Sequence, residues 1–335
     1  MPSSKPQANV CGTCPIDRPE TSMVAWPDTW RSPAPTPLHL LTAAHQRGER
    51  CALVTVLGIA GGAPRRRGAQ LAVTEHGEVA GSLSGGCLDA AVIAEAHAAR
   101  ADGLSRRIRF GADSPYVDVV LPCGSGLDLQ FDGALPIHTI DQIAAALTAR
   151  TLVSLRWESA TTPATLSNPE DADVVVPPSM RLLIAGASEN LRAMALLAAQ
   201  ANIDVLALTR DQGLRQALAA AGIDAQEPVE SQWPVLPIDA WTAALTLFHE
   251  HEQEVPFLRA ALASPAFVVG AMGSVRAQTQ RLDLLRAAGV DPTSLARLRG
   301  PFGLLSRTRD PNELAISMLA ELWQHWRQFA FNEPE

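Results

Sequence analysis

Apolar positions in the first half of the chain follow two periods, one typical of strands and one typical of helices. Runs of apolar and β-branched residues predict strands at 51–59, 70–74, 78–81, 108–110, 117–122, 127–131 and 151–157. Helical spacing predicts helices at 38–46, 88–100 and 141–149. His76 and Gly77 favour a hairpin turn between the second and third strands, and Gly103 is placed to end the second helix. This succession predicts a mixed α/β domain.

Strand and helix patterns alternate regularly in the second half of the chain. Buried strands are predicted at 181–187, 203–209, 243–249 and 265–273. An amphipathic helix at 188–200 joins the first two strands into a βαβ unit with parallel strands, and further helices follow the last two. The second half therefore predicts a Rossmann-like domain with a doubly wound parallel sheet.

A long final helix is predicted from Pro311 to about residue 328. Asp310 is a suitable N-cap, Pro311 suits the first helical position, and Glu313 follows three residues after the cap. An apolar stripe at helical spacing is formed by Leu314, Met318, Leu322 and Trp326, with Trp323 beside it. We expect these side chains to serve core or dimer packing rather than cofactor binding.

Composition shifts divide the chain into four parts. Residues 1–36 are rich in proline without periodicity and predict an extended tail. Residues 37–159 form the first domain, 160–179 a linker rich in Thr, Ser, Pro and acidic residues, and 180–335 the second domain with the final helix. The tail contains CGTC at 11–14, but no second cysteine pair or nearby histidine completes a zinc site, so we expect no function there.

The charge balance and the cysteine content exclude several classes of protein. The chain has 27 Lys and Arg against 35 Asp and Glu, a net charge of -8, which disfavours nucleic acid as a partner. No apolar run is long enough to span a membrane, and the polar start lacks a secretory signal, so we expect a cytoplasmic protein without a membrane partner. Five cysteines, an odd number, favour reduced thiols over a disulfide framework.

Two loops of the first domain are suited to anions. Three consecutive arginines at 65–67 lie between Gly62 and Gly68 after a strand, where they supply fixed positive charge close to exposed backbone. The second loop, GSLSGG at 81–86, opens a helix whose unpaired N–H groups and dipole also attract an anion. Each loop alone is compatible with a solvated turn, but together they favour a site for phosphate or carboxylate.

Two cysteines occur in glycine-rich loops of the same domain. Cys87 lies at the first turn of the helix 88–100, where a thiol is expected to ionise more readily. Cys123 lies in LPCGSG at 121–126, at the end of a predicted strand. Thiolates are nucleophiles and soft-metal ligands, while inert packing is the alternative for each cysteine. Two thiols in two such loops favour one shared site.

The motifs GGAPRRRGAQLAV, GSLSGGCLDAAV and LPCGSGLDL, in this order, resemble the XdhC/CoxI family. Its members are accessory proteins of molybdenum-containing hydroxylases such as xanthine dehydrogenase. The resemblance continues through the second domain at 186–188, 249–251, 273–274 and 300–304. The chain departs from the family's usual loop at Leu305 and Arg307, where an aspartate and a glycine are typical.

The resemblance implies an accessory protein rather than an enzyme. Its expected cargo is the molybdenum cofactor, whose maturation by sulfuration it would assist before insertion into an apo-molybdenum hydroxylase of the xanthine dehydrogenase or aldehyde oxidase type. A cysteine desulfurase is a further candidate partner, and a homodimer is a candidate assembly. Two alternatives stay open: an NAD(P)-dependent oxidoreductase that uses the second domain, and a protein adaptor that binds no cofactor.

The loop chemistry fits this cargo, which carries a phosphate, a polar pterin and a metal on a dithiolene. The residues expected to hold the phosphate or the pterin are Arg65, Arg66, Ser84, Gly85 and Gly86. Those expected near the molybdenum or the exchanged sulfur are Cys87 and Cys123, the two candidate metal ligands, with Gly124 next to Cys123.

The second domain has a degenerate dinucleotide motif. Gly186 is the one glycine retained, because Ser188 and Leu191 occupy the positions of the other two. No acidic residue stands at Thr209 or Arg210, where a ribose would be recognised. The pattern therefore disfavours NAD(P). The triplet HEH at 249–251 places two histidines near a strand end, which permits either a metal site or an exposed loop.

Overall fold

Three β-sheets organise the part of the chain that the computed structural model describes. That part comprises residues 36–62, 65–83, 88–112, 114, 124, 126–228 and 236–332. The predicted tail at 1–36, including CGTC, falls outside it except for Thr36, as does the predicted strand at 117–122. Over the described residues, no helix is both long and apolar enough to cross a membrane.

The first sheet has five antiparallel strands in the order β3-β2-β1-β5-β4. The strands are β1 (Cys51–Ala60), β2 (Gln70–Thr74), β3 (Val79–Gly81), β4 (Ser105–Gly111) and β5 (Gly126–Asp132). The helices of this region are α1 (Pro37–Gln46), α2 (Asp89–Asp102) and α3 (Ile137–Ala149). The hairpin, the central strand and the end of α2 at Gly103 are confirmed, while α3 begins four residues before the predicted start at 141.

Strand β1 is mostly apolar because both faces of the sheet are covered. Leu53 packs with α1 and α3 on one face. Val54 and Val56 pack with residues of α2, including Val92, on the other. Side chains alternate between the two faces of a strand, so a strand buried on both sides needs apolar residues at successive positions.

A second, small sheet follows in the chain. Its strands are β6 (Val153–Arg156), β7 (Thr165–Leu166) and β8 (Val174–Val176), antiparallel in the order β7-β6-β8. Both β7 and β8 lie in the interval 160–179, so these residues pair with β6 instead of crossing as open chain. The sheet closes over the face of the first sheet that carries α1 and α3.

A buried carboxylate fastens this small sheet to β5. Asp132 is fully buried at the end of β5. It accepts hydrogen bonds from Trp157 Nε1 at 2.9 Å and from Ser105 Oγ at 3.0 Å. Burial raises the pKa of Asp132 to about 6, although these donors favour the ionised form and partly offset the effect.

The Asp132→Asn variant is expected to change how stability depends on pH. Because the folded chain holds the Asp132 proton more tightly than the unfolded chain, the native protein binds more protons between about pH 4 and 6. This stabilising contribution is complete below about pH 4 and is lost as pH rises through 6. The variant has no carboxyl group to titrate at this position and keeps its stability over this pH range. The unfolding free energy of the variant minus that of the native chain should therefore rise by about 2–3 kcal/mol between pH 4 and 7.

Urea unfolding at each pH measures this difference. Asp171→Asn, an exposed position beyond β7, is the matched control and should show no such trend. A difference between Asp132→Asn and native that stays constant from pH 4 to 7 would contradict the role of the buried carboxylate.

The third sheet has six parallel strands in the order β11-β10-β9-β12-β13-β14. The strands are β9 (Arg181–Gly186), β10 (Asp204–Leu208), β11 (Asp224–Gln226), β12 (Thr242–Leu247), β13 (Val268–Ala271) and β14 (Leu298–Arg299). The helices are α4 (Glu189–Gln200), α5 (Gln212–Ala220), α6 (His251–Ala263), α7 (Val275–Ala287), α8 (Pro292–Ala296) and α9 (Pro311–Phe331). Numbered along the domain, the order is 3-2-1-4-5-6, as in Rossmann folds. The predicted doubly wound parallel sheet is confirmed.

Helices cover both faces of this sheet. On one face, Leu182 and Ile184 of β9 share a core with residues of α4 and α9. On the other, Leu183 packs with Phe257 of α6. The final helix begins as predicted, because the Asp310 side chain accepts hydrogen bonds from the first-turn N–H groups. Its stripe at Met318, Leu322 and Trp326 is buried against α4.

Candidate functional site

The loops that carry the candidate site residues leave one edge of the first sheet. Ala60, at the end of β1, pairs with Gly126, at the start of β5. On the other side of β1, β2 begins at Gln70, and its Leu71 pairs with Gly81 at the end of β3. The loops that leave this edge are 61–69, 82–88 and 112–125. The strand register thus brings the ends of the arginine loop and of both cysteine-containing loops to the same edge.

The predicted site residues divide into described and undescribed ones. Arg65 and Arg66 are exposed at this edge. Gly124 is also exposed and has a φ of 66°, a left-handed conformation that favours glycine. The predicted residues that lie outside the described part of the chain are Ser84, Gly85, Gly86, Cys87 and Cys123.

The residues flanking 84–87 hold both ends of that segment in place. Leu83 and Leu88 are buried in the core between the sheet and α2. Ser82 Oγ donates a hydrogen bond of 2.8 Å to Asp89 Oδ2, across the segment. Leu88, the residue that precedes α2, makes no side-chain capping bond. The described chain on either side of 84–87 is therefore anchored, and on the C-terminal side it begins a 14-residue helix.

The base of the 112–125 loop is anchored by an ion pair. Arg109 Nη1 donates to both carboxylate oxygens of Asp128, at 2.9 and 3.0 Å, and Arg109 Nε donates to the carbonyl of Ala112 at 2.8 Å. Glycines permit this arrangement. A Cβ at Gly58 would lie 2.5 Å from Asp128 Oδ2, and one at Gly126 would lie 2.9 Å from Arg109 Nη2. The sequence pattern did not identify this anchor, although Asp128 is the aspartate of the motif LPCGSGLDL.

A cavity of about 470 Å³ opens beside the arginine loop. Arg65, Arg66 and Arg67 line one side of it, together with Gly81 and Ser82 from the start of the next loop. The rest of the lining includes the chain around Met180, Asn202 and Ile203, and Trp323, Trp326 and Phe331 of α9. We call it the arginine cavity. Its volume is in the range of small-molecule sites.

Thiol and metal chemistry have little support among the described residues themselves. Cys51 is the cysteine that the structure describes, and it is a free thiol buried in the core. Burial raises the pKa of Cys51 to about 12, so it is an inert packing residue. No three His, Cys, Asp or Glu side chains within the described ranges are arranged to hold a metal ion.

A second cavity, of about 860 Å³, lies at the carboxyl edge of the parallel sheet. It is lined by His249, Gly273, Ser274, Arg276 and the 301–308 loop. Arg307 in that loop has a φ of 61°, a conformation that suits the glycine typical of the family.

The dinucleotide turn does not carry the usual features of this edge. Leu191 is fully buried, and its Cδ1 lies 3.1 Å from where a Cβ on Gly186 would stand. The nearest acidic residue after β10, Asp211, accepts a hydrogen bond of 2.9 Å from Leu214 N and so caps α5. Among the described residues after β10, the first acidic side chain is therefore engaged as a helix cap.

The two histidines of HEH have different surroundings. His249 is exposed on the second cavity, whereas His251 begins α6 and places its Nδ1 2.9 Å from Glu254 Oε1. Glu254 and Arg281 are fully buried and paired, with Arg281 Nε 2.6 Å from the same oxygen. Arg281 also donates to Gln278 Oε1 at 2.6 Å and to the Met272 carbonyl at 2.7 Å. His251 is therefore part of a buried network that joins α6 to α7.

Two family models match the chain. The first is described as the XdhC and CoxI family and matches residues 44–111, which include the arginine loop and the start of α2. The second is described as the XdhC Rossmann domain and matches residues 182–322.

One curated relative and one solved structure show similarity over most of the chain. The molybdenum cofactor insertion chaperone PaoD of Escherichia coli (strain K12) is 34% identical over 295 residues, covering 86% of this chain and 87% of PaoD. A crystal structure from Bacillus halodurans, described as a xanthine dehydrogenase, superposes with a TM-score of 0.69 at 17% identity. That match covers 88% of this chain and 96% of the other, and it supports the fold.

Proposed function

The chain belongs to the XdhC and CoxI family, and from this premise we propose that it is a molybdenum cofactor insertion chaperone. It binds the cofactor as cargo and passes it to an apo-hydroxylase of the xanthine dehydrogenase or aldehyde oxidase type. One observation carries the proposal: three glycine-containing loops leave the same end of the first sheet, and two of them line a cavity that contains three arginines.

The negative charge of the cargo complements the positive charge at this edge of the sheet. Molybdenum cofactor carries a phosphate, which suits the guanidinium groups of Arg65 and Arg66. The segment 84–87 leads into α2, and the N-terminal end of a helix carries partial positive charge that favours an anion. We assign the phosphate and pterin to Arg65, Arg66 and Ser84–Gly86, in agreement with the loop chemistry.

The metal end of the cargo is assigned to the two cysteines. Cys87 and Cys123 lie outside the described residues, but each is flanked by residues anchored at this edge: Leu88 for the first, and Gly124 and Gly126 for the second. Thiolates are suitable soft ligands for molybdenum and suitable carriers of sulfur. In this proposal a cysteine desulfurase supplies sulfur for the cofactor before it is inserted.

Similarity to PaoD supports the insertion role. PaoD is named as an insertion chaperone for this cofactor, and the match spans both domains rather than one. The NAD(P)-dependent alternative receives no comparable support, because Leu191 fills the space beneath the dinucleotide turn and Asp211 is used as a helix cap.

Anaerobic reconstitution tests the proposal. The native chain is incubated with molybdenum cofactor and separated from free cofactor, and molybdenum and pterin are quantified. We expect stoichiometric binding and activation of an added apo-hydroxylase. Cys87→Ala and Cys123→Ala should retain pterin but lose molybdenum or transfer activity, because a ligand to the metal or sulfur is removed.

The double variant Cys11→Ala/Cys14→Ala is the matched control and should behave as native. NAD+ and NADP+ are the control ligands and should give no rise in Tm, since only a bound ligand stabilises the folded state by mass action. A native chain that binds neither pterin nor molybdenum would overturn the chaperone proposal. Full activity of both single-cysteine variants would overturn the role of the thiols.

A further inference from the structure

Part of the wall of the arginine cavity is aromatic. Trp323 and Phe331 of α9 both line it, and Trp326 lies deeper, with 5% of its surface exposed. Trp323 is only partly buried, although it packs against the core of the parallel sheet. The apolar stripe of α9 accounts for Met318 and Leu322, but a helical period cannot distinguish a core position from a position at the wall of a cavity.

The cavity is positively charged within an acidic protein. Three arginines line it, and none of its described lining residues is acidic, whereas the whole chain has a net charge of -8. A guanidinium group keeps its charge at any physiological pH. A ligand in this cavity therefore gains from carrying negative charge on the side that faces the arginine loop.

Arg66 connects the charged wall to the aromatic one. Its guanidinium carbon lies 3.4 Å from the centroid of the Phe331 ring, which is the geometry of a cation–π contact. The contact fixes the position of this exposed side chain against the aromatic part of the wall. Aromatic faces and planar guanidinium groups both stack on flat heteroaromatic rings, so these groups together form a flat-sided pocket.

We infer that the arginine cavity binds a planar heteroaromatic ring that carries an anionic substituent. The ring packs against Trp323 and Phe331, and the anion contacts the Arg65–Arg67 turn. This inference rests on the proposed function, because the pterin of the cargo is then the ring that α9 holds. It gives the second domain a direct part in binding, distinct from the degenerate dinucleotide turn.

Binding of pterin-6-carboxylate, a metal-free anionic pterin, tests the inference by isothermal titration. The native chain should bind it. Trp323→Leu should weaken binding by about tenfold, since stacking on an aromatic side chain has an effect of this size. Trp323→Phe, which keeps an aromatic face, should recover most of the affinity. Unchanged affinity in Trp323→Leu would overturn the inference.

Phe329→Leu is the matched control on the same helix. Phe329 is 44% exposed and packs against Trp241 and Phe267 rather than lining the cavity, so its loss should leave the affinity at the native value. A loss equal to that of Trp323→Leu would show a general effect of α9 and contradict the inference. Thermal unfolding of every variant confirms that each is folded.

Two further ligands test the aromatic part and the cationic part of the pocket individually. Uncharged pterin tests the ring alone and inorganic phosphate tests the anion alone, and each should bind more weakly than pterin-6-carboxylate. Phosphate that binds as tightly as pterin-6-carboxylate would overturn the aromatic half.

An experimental result can contradict the inference while supporting the proposed function, and another result can do the reverse. A native chain that binds pterin-6-carboxylate through Trp323 but never activates an apo-hydroxylase supports the pocket and contradicts the chaperone. Native transfer activity combined with no effect of Trp323→Leu on either ligand supports the chaperone and contradicts the pocket.

Discussion

The Arg281→Met variant is expected to lower the free energy of unfolding by about 3–5 kcal/mol. Arg281 and Glu254 are both fully buried, and the arginine also donates to Gln278 and to the carbonyl of Met272. Removing the arginine leaves the Glu254 carboxylate buried without its cation, and this unpaired charge is the main cost. Urea unfolding at pH 7 measures the change.

Two comparison variants isolate the cause. Arg286→Met, on the same helix, removes an exposed arginine paired with Asp283 and should change stability by less than about 0.5 kcal/mol. The double variant Glu254→Leu/Arg281→Met removes both charges and should recover most of the stability that the single variant loses. If Arg281→Met were as stable as the native chain, the ion pair would not connect α6 and α7 as described.

The double variant Arg65→Ala/Arg66→Ala is expected to weaken binding of molybdenum cofactor by about 10- to 100-fold. Each charged hydrogen bond to an anion contributes about 1.5–3 kcal/mol, and part of this is lost to solvent at an exposed site. Both arginines are exposed at the wall of the cavity, so their removal should leave the fold intact. Affinity is measured at low and at physiological salt, and the native affinity should fall as salt rises.

The control must remove the same charge elsewhere. Arg259→Ala/Arg286→Ala takes two exposed arginines from α6 and α7, far from the cavity lining. It should bind the cofactor as the native chain does. Equal weakening in both double variants would mean that net charge, rather than the arginine turn, attracts the cargo.

The long elements of the fold could be predicted because their sequence patterns extend over many residues. The predicted strand at 51–59 became β1, since a strand covered on both faces must be apolar at successive positions. The predicted helix from Pro311 became α9, since Asp310, Pro311 and Glu313 are all local start signals. The start signals of α9 act through the backbone of neighbouring residues, whereas the apolar pattern of β1 reflects burial on both faces of the sheet.

The short strands could not be predicted, because a pattern must extend over several residues before its period can be recognised. β7 and β14 have two residues each and β8 has three, too few to show any period. They form because a longer strand is already in place beside them: β6 for β7 and β8, and β13 for β14. Composition alone therefore predicted a linker at 160–179, where the chain contributes to a sheet.

The candidate site could be predicted in part. The loops around Arg65, Gly81 and Gly124 were identified from residue types, and the register of the sheet places all three at one edge. The aromatic wall was missed because Trp323 and Phe331 reach the arginine loop only through tertiary packing. The predicted molybdenum ligands, Cys87 and Cys123, remain predictions.

The composite wall of the arginine cavity has a consequence for the timing of cargo capture. Its arginines lie early in the chain, whereas Trp323 and Phe331 belong to the last of the described helices. A ribosome makes the cationic half long before the aromatic half, and domains generally fold in that order. A nascent chain can thus attract an anion but cannot enclose its ring. A labile cargo would then be retained only by a completely synthesised and folded chain, so incomplete chains would not hold it.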